Sequence, residues 1–251
     1  MKRLYLIVLM LVSFSNIALS ADVDGKVSWS QRVVMSTGVS GVVDEVLVEV
    51  GDHVTKGDVL LRLQADRFKA SLSSAKASQT DAKYKLKEAE REWSRAQELY
   101  ERTVLADSDL QLAENSLMAA RALFENAKAN HINAQRDLIE STIKAPFDGI
   151  VLERHVQPGQ AVINRMNAVP MLSIAATKTY NVVGTVTSSF ATKLATGEAV
   201  TMTINGQSYN GILAAIGYES VKETDTYPVT IRFNAGDKVL RAGQAAKIHF
   251  P

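Results

Sequence analysis

The chain has no cysteine among its 251 residues. It therefore cannot form a disulfide bond, and it offers no cysteine nucleophile, thiolate metal ligand or lipid-bearing cysteine. Its formal net charge of +1 gives no bulk electrostatic attraction to nucleic acid, so we expect no nucleic-acid partner. No two of the histidines stand at ligand spacing, and the methionines are scattered. We therefore expect neither a metal site nor a cofactor.

Signatures of catalysis are also missing from the sequence. It shows no Ser-His-Asp set, no carboxylate pair in a recognisable motif and no phosphate-binding glycine loop. The hydrophobic fraction of 46% and the charged fraction of 22% are those of an ordinary folded protein. We therefore expect a folded protein that is not an enzyme.

Only one long apolar run occurs, and it lies at the N-terminus. Lys2 and Arg3 precede the stretch LYLIVLMLVSF, and Ala18 and Ser20 are the small residues of a cleavage site. We expect residues 1–20 to be an export signal. The alternative is a retained anchor, but polar residues interrupt the run, which falls short of the roughly 20 apolar residues that a membrane span needs. The mature protein is expected to be exported, and either soluble or peripherally attached.

Glycine and proline are absent from the segment 72–100, which repeats every seven residues. Its inner positions alternate steps of three and four: Leu72, Ala75, Gln79, Ala82, Leu86, Ala89, Trp93, Ala96 and Tyr100. The segment 110–138 has the same rhythm: Leu110, Ala113, Leu117, Ala120, Phe124, Ala127, His131, Ala134 and Leu138. A period of 3.5 residues is typical of two helices wound around each other in a left-handed coiled coil.

A short connector, ERTVLADSD, joins the two segments, so they are expected to form an antiparallel helical hairpin. Ser108 and Gln111 have capping-box spacing, which predicts that Ser108 begins the second helix. Small side chains on the seam let the backbones approach closely, and we assign this role to Ala82, Ala89, Ala120 and Ala127. Off the seam the residues are mostly charged, so we expect the hairpin to project into solvent rather than pack on a core.

Two copies of one strand-rich unit flank the hairpin. When Gly41 is aligned with Gly149, Val43 meets Val151, Val48 meets Val156 and Gly51 meets Gly159. Apolar residues alternate or pair between glycine turns, which predicts short strands. Gly51 and Gly159 stand where tight turns need a residue that accepts positive φ. Two such half-motifs are typical of the flattened β-sandwich of lipoyl and biotinyl carrier domains.

The C-terminal part is again rich in predicted strands. Asn205 and Gly206 separate two of them, a strong signal for a two-residue hairpin turn. The stretches YPVTIRF and GQAAKIHF supply two more strands. So few strands are best protected from edge-to-edge association in a small barrel that is closed or nearly closed.

The order of these parts resembles the HlyD-like periplasmic adaptor subunits, or membrane fusion proteins, of tripartite efflux pumps. The resemblance rests on VSGVVDEVLVEVGDHVTKGDVLLRL, the helical hairpin and TIKAPFDGIVLERHVQPGQAV, and it extends over about residues 25–250. It implies an α+β, elongated fold in which a lipoyl-like sandwich is split by a coiled-coil hairpin and followed by a barrel. The expected divisions are the export signal at 1–20, an N-terminal strand with the first half-motif at 21–63, the helical hairpin at 64–141, the second half-motif at 142–175 and the barrel at 176–251.

The resemblance also implies a function and partners. It predicts a periplasmic location beside the inner membrane, a proton-driven transporter of the resistance-nodulation-division type, an outer-membrane channel and self-association into a ring, expected to be a hexamer. An ATP-driven transporter is the alternative. The family has a hairpin-tip motif of Arg, three residues, Leu, six residues and Ser. Here Arg95 and Leu99 match it, but Ala106 stands in place of the serine. The tip residues that the resemblance implies are Arg95, Leu99, Arg102, Leu105, Ala106 and Ser108.

Two other functions are consistent with these parts. One is an envelope scaffold with no role in transport. The other is a carrier domain, in which a modified lysine would stand on the turn between the half-motifs. Lys56 and Lys69 lie near that region, but neither sits in the sequence context that modification enzymes recognise.

Overall fold

The computed structural model describes residues 21–163, 168–221, 224–236 and 238–251. The predicted export signal, residues 1–20, lies outside them. Two units are distinguished: residues 31–176 form one, and residues 21–30 join 177–251 in the other. Each is described by itself.

The regular elements are numbered along the chain. The first strands are β1 (Ala21–Trp29), β2 (Arg32–Met35), β3 (Gly41–Val46), β4 (His53–Val54) and β5 (Val59–Leu63). The long helices are α1 (Asp66–Glu101) and α2 (Asp107–Glu140). After them come β6 (Thr142–Lys144), β7 (Gly149–Arg154), β8 (Ala161–Val162), β9 (Leu172–Ala176) and β10 (Thr179–Thr187). The last are α3 (Ser188–Ala191), β11 (Ala199–Ile204), β12 (Gln207–Ile216), β13 (Thr226–Asn234) and β14 (Ala245–Phe250).

Six strands form an antiparallel barrel in the order β1-β10-β13-β12-β11-β14, which confirms the predicted barrel and shows that it is closed. Asn205 and Gly206 connect β11 to β12 with φ values of 49° and 75°, as the hairpin signal required. Alternate side chains point inward and fill the interior, because successive residues of a strand face opposite sides. The largest fully buried are Tyr180, Met202, Ile204, Leu213, Ile231 and Phe250.

The N-terminal strand, which the predicted division 21–63 places ahead of the first half-motif, lies in the barrel. β1 pairs with β10 on one side and with β14 on the other. Without β1, the strands β10 and β14 would be open edges, so this strand closes the barrel. The pairing joins residues more than 150 positions apart, and no local pattern in the sequence indicates it.

The other unit contains two four-stranded sheets, β2-β9-β7-β4 and β6-β5-β3-β8. The half-motifs exchange strands: β4 of the first pairs with β7 of the second, and β8 of the second pairs with β3 of the first. The registers are equivalent, since Gly41 opposes Val162 and Gly149 opposes Val54. The buried side chains between the strands include Leu60, Leu61, Leu63, Val151, Met171 and Ile174.

The repeat extends further than the sequence alignment indicated. Met35 of β2 opposes Leu172 of β9, and Ile143 of β6 opposes Leu61 of β5 in the corresponding place. β2 and β6 are therefore equivalent strands. Their sequences, RVVM and TIK, are too short and too different for an alignment to detect.

The two long helices pack against each other, and their burial follows the seven-residue rhythm. Every inner position predicted on α2 is buried or half-buried. On α1 the last one differs, because Tyr100 is exposed and Leu99 is half-buried in its place. The predicted start of α2 is also wrong: the helix begins at Asp107, Ala106 is its N-cap, and no side chain caps it. Asp107 and Asp109 in the first turn place negative charge at the positive end of the helix dipole instead. Among the described helices, none has the length and apolarity required to cross a membrane.

Candidate functional site: the helical hairpin

The hairpin interface has one large row and one small row of side chains on each helix. Leu117 and Ala120 are 5% and 8% exposed, and Ala82 is 8% exposed. The alanine row lets the helix axes come close, and the larger row fills the remaining volume. Of the other alanines predicted on the seam, Ala89 and Ala127 are half-buried.

One side of the interface contains a hollow. On the side of the large residues, Leu86 and Phe124 are the floor of a hollow of about 620 Å³. The rest of its lining is polar or aromatic: Thr80, Lys83, Tyr84, Lys87 and Glu90. Apolar floor residues beneath a polar rim are typical of a surface that accepts a partner side chain.

The tip of the hairpin is fixed by backbone hydrogen bonds at the end of α1. The amide of Thr103 donates to the carbonyl of Tyr100 at 2.8 Å, and the amide of Val104 donates to that of Leu99 at 3.0 Å. This pattern is a Schellman motif, which usually has glycine in the left-handed position. Here Thr103 takes that position with φ of 62°, which is costly for a β-branched residue.

The predicted tip residues lie at different depths around this turn. Arg95 is exposed on α1 and pairs with Glu92 at 3.1 Å. Leu99 is half-buried at the interface. In the connector and the first turn of α2, Leu105 is half-buried, while the remaining predicted residues are exposed: Arg102, Ala106 and Ser108.

Sequence reasoning missed Val104, whose side chain is 71% exposed in the connector. Val104 and Leu105 form a small apolar patch at the tip, next to the charged Arg102. The sequence contains a signal for this surface, because Val104 and Leu105 are adjacent apolar residues in a short and mostly polar connector. The connector offers no other large apolar side chain to cover them. An exposed valine beside a half-buried leucine and an arginine is the composition of a small protein-binding surface.

The hairpin occupies the turn on which a carrier domain would present its modified lysine. α1 begins three residues after β5 ends, and α2 leads into β6. The glycines predicted to shape the sandwich are of two kinds. Gly51 and Gly159 have φ of 99° and 83° in open turns. A side chain at Gly149 would instead place its Cβ 2.3 Å from the carbonyl oxygen of Ala175, and one at Gly41 would contact Leu63.

Charged groups on the sandwich form local pairs. The hydrogen bond from Arg32, at 2.8 Å, holds the pKa of Glu153 below its usual range, and burial opposes this effect. Hydrogen bonds from Thr55 lower the pKa of Asp58 in the same way. Within the described residues, no group of three histidine, aspartate or glutamate side chains is placed to hold a metal ion.

A two-sheet sandwich interrupted by two long helices, together with a closed six-stranded barrel, is the fold of membrane fusion proteins. The membrane fusion protein Spr0693 from Streptococcus pneumoniae R6 has a TM-score of 0.69, with 21% identity over 91% of this chain and 97% of that chain. A MacA-MexA chimeric protein containing the Pseudomonas aeruginosa MexA hairpin has a TM-score of 0.68 and 21% identity, over 92% of this chain and 80% of that one. These likenesses establish the fold.

The sequence model of the CzcB-like barrel-sandwich hybrid domain matches residues 31–171, more than half of the chain, and the chain belongs to this family. The macrolide export protein MacA of Yersinia pestis is 28% identical over 89% of this chain and 66% of its own length. The cobalt-zinc-cadmium resistance protein CzcB of Cupriavidus metallidurans is 28% identical over 51% of this chain and 25% of its own length. The chain therefore spans less than two thirds of these relatives. The matches confirm the predicted resemblance to membrane fusion proteins of efflux systems.

Proposed function

We propose that the protein is the periplasmic adaptor of a tripartite efflux pump. It would connect an inner-membrane transporter to an outer-membrane channel for the export of small molecules. The observation that carries this proposal is the long hairpin, inserted between the half-motifs of a barrel-sandwich hybrid domain and ending in the exposed Val104. Each helix of 34 to 36 residues is about 50 Å long, enough to reach a partner far from the sandwich.

The proposed action is mechanical and uses no catalytic group. The two helices form a coiled coil whose alanine row makes it stiff, and the tips bind the channel. A tip that binds the open channel more tightly than the closed one shifts the channel population toward the open state. The transporter supplies the energy. We propose a proton-driven transporter of the resistance-nodulation-division type, and a hexameric ring of adaptors associated with the inner membrane.

The tip surface is proposed to comprise Val104 and Leu105 with Arg95, Arg102 and the polar residues that begin α2. Leu99 is proposed to support the tip from within the hairpin, since it is half-buried beside the Schellman turn. The strained Thr103 fixes the direction in which Val104 points. Strain of this kind persists where the surrounding structure over-determines it, and it is frequent at binding sites.

The test is crosslinking in intact cells from a photoreactive amino acid placed at Val104. The matched control position is Tyr84, which is also 71% exposed but lies in the middle of α1. We expect Val104 to crosslink to an outer-membrane channel and Tyr84 not to do so. A crosslink from Val104 to an envelope protein that is not a channel would overturn the adaptor function and support a scaffold. Crosslinking to the channel from both positions would overturn the assignment of the tip.

A further inference from the structure

The hairpin has two edges of different composition. Residues four positions after a large seam residue, or directly after one, lie on one edge of the hairpin. Residues three positions after a seam alanine, or directly before one, lie on the other edge. In an antiparallel pair, equivalent sides of the two helices meet at the same edge. The hollow supports this assignment, because Leu86 and Phe124 share it with Lys83 and Lys87. We call the two surfaces the basic edge and the alanine edge.

The two edges carry charge of opposite sign in the middle of the hairpin. The basic edge has five cations: Lys76, Lys83, Lys87, Arg121 and Lys128. Its anions are Glu90, Glu114 and Glu125. On the alanine edge the order is reversed, with three anions, Asp81, Glu88 and Glu92, and two cations, Lys85 and Arg95.

The pairing of these charges differs as well. The anions of the alanine edge take part in ion pairs along α1, for example Asp81 with Lys85 at 2.8 Å. On the basic edge, Lys83 and Lys87 make no ion pair with any described residue, although both stand at the rim of the hollow. Two unpaired lysines over an apolar floor match a partner that brings carboxylates and one apolar side chain.

Leu123 has the position and the exposure of that apolar side chain. It is 58% exposed and lies one turn from both Ala120 and Ala127, so it is on the alanine edge. It immediately precedes Phe124, which lines the hollow, so the two stand at the same level of the hairpin. Within the alanine edge of the described hairpin, α1 carries the carboxylates of Asp81, Glu88 and Glu92.

We propose that the hollow of the basic edge receives Leu123 of a second copy of this chain. The alanine edge of that copy faces the basic edge, and its glutamates approach Lys83 and Lys87. The inference rests on the ring of the proposed function and assigns the surface that forms it. The contact joins two different surfaces, which is what a ring requires. In a ring with cyclic symmetry, neighbouring copies are related by a rotation without displacement along the ring axis. Hairpins that lie parallel to that axis therefore contact each other at the same height, which places Leu123 of one copy beside the hollow of the next.

The absence of native cysteine allows a direct test with the purified exported chain. Lys87→Cys marks the hollow and Leu123→Cys marks the alanine edge; within one hairpin they lie on opposite edges. The short crosslinker bismaleimidoethane is added to the double variant, to each single variant and to an equal mixture of the singles. We expect a ladder of oligomers from the double variant, dimers and nothing larger from the mixture, and monomer from each single variant. Raising the salt concentration should reduce the yield, because complementary charges are screened.

Two results would overturn the inference. Dimers from Leu123→Cys alone would show that two alanine edges pack together. No ladder from the double variant, in a sample that sedimentation shows to be a ring, would place the contact elsewhere and leave the proposed function intact. The failure of the proposed function is seen separately, through the crosslinks from Val104.

Discussion

The amide of Gly51 donates a 2.9 Å hydrogen bond to the carbonyl of Val151, in the other half-motif. The same bond recurs at the equivalent place, where Gly159 donates to Val43 at 2.8 Å. Each glycine turn is thus anchored to a strand of the opposite half, and the two halves fold as one sandwich. The helical hairpin is therefore inserted between two halves that are joined to each other by a hydrogen bond at each glycine turn.

Substitution of these glycines should separate backbone strain from steric overlap. Gly51→Ala and Gly159→Ala should each lower the free energy of unfolding by about 1–2 kcal/mol, because φ is positive and no neighbouring atom obstructs the new methyl group. Gly149→Ala should cost more, since its Cβ would overlap the carbonyl of Ala175. Urea denaturation measures all three. Equal losses at Gly51 and Gly149 would contradict the distinction.

A charge on the alanine row should separate the two helices. Ala120→Glu buries a carboxylate without a partner at a position that is 8% exposed, and we expect a loss of several kcal/mol. Ala122→Glu introduces the same side chain at an exposed position of the same helix and is the matched control. Circular dichroism during thermal unfolding compares them. Equal melting temperatures for the two variants would show that Ala120 is not part of a closed interface.

The strained turn at the tip predicts a stabilising substitution. Thr103→Gly removes the penalty of a β-branched residue at φ of 62° and should raise stability by about 1 kcal/mol. Thr80→Gly, on the exposed surface of α1, should instead lower stability by a few tenths of a kcal/mol, because glycine is a poor helix former. Thermal unfolding of both variants shows whether each substitution raises or lowers stability. A loss of stability in the Thr103→Gly variant would show that the backbone at Thr103 is not strained.

The pair of Arg32 and Glu153 predicts a dependence on pH. The pKa of Glu153 is lowered in the folded protein from its ordinary value of 4.5, so its stabilising effect is complete above that value. That effect is lost as the pH falls through the lower folded value. Arg32→Met should raise the pKa of Glu153 toward its ordinary value, which an NMR titration of the side-chain carboxyl measures. No change in the titration would show that the arginine does not hold this carboxylate.

The barrel core contains a tyrosine whose hydroxyl has a defined partner. The amide of Leu240 donates to the hydroxyl oxygen of the fully buried Tyr180 at 3.0 Å, and burial raises the pKa of this tyrosine. Tyr180→Phe leaves the Leu240 amide without this acceptor and should cost about 1–3 kcal/mol. Chemical denaturation of the purified protein measures the loss. Unchanged stability in the Tyr180→Phe variant would mean that the Leu240 amide finds another acceptor.

Much of the fold was predictable because its signals are local. The alternation of large residues with alanines indicates the buried face of both helices from the sequence alone. Asn205 and Gly206 identified a turn because few residue pairs adopt positive φ in succession. The corrections fall where a local pattern ends. Leu99 replaces Tyr100 at the interface where α1 turns into the tip, and Asp107 begins α2 before the predicted Ser108.

The sequence by itself determined the helical hairpin, the repeated half-motifs and the hydrophobic alternation of the barrel strands, since each depends on neighbours within a few residues. Only the tertiary structure decided that β1 closes the barrel, that β4 and β8 are exchanged between the half-motifs, and that Val104 is exposed at the tip. These features join distant parts of the chain or depend on what surrounds a side chain. Strands pair through backbone N–H and C=O groups that all residues except proline have in common. The sequence therefore gives little information about which strands pair with each other.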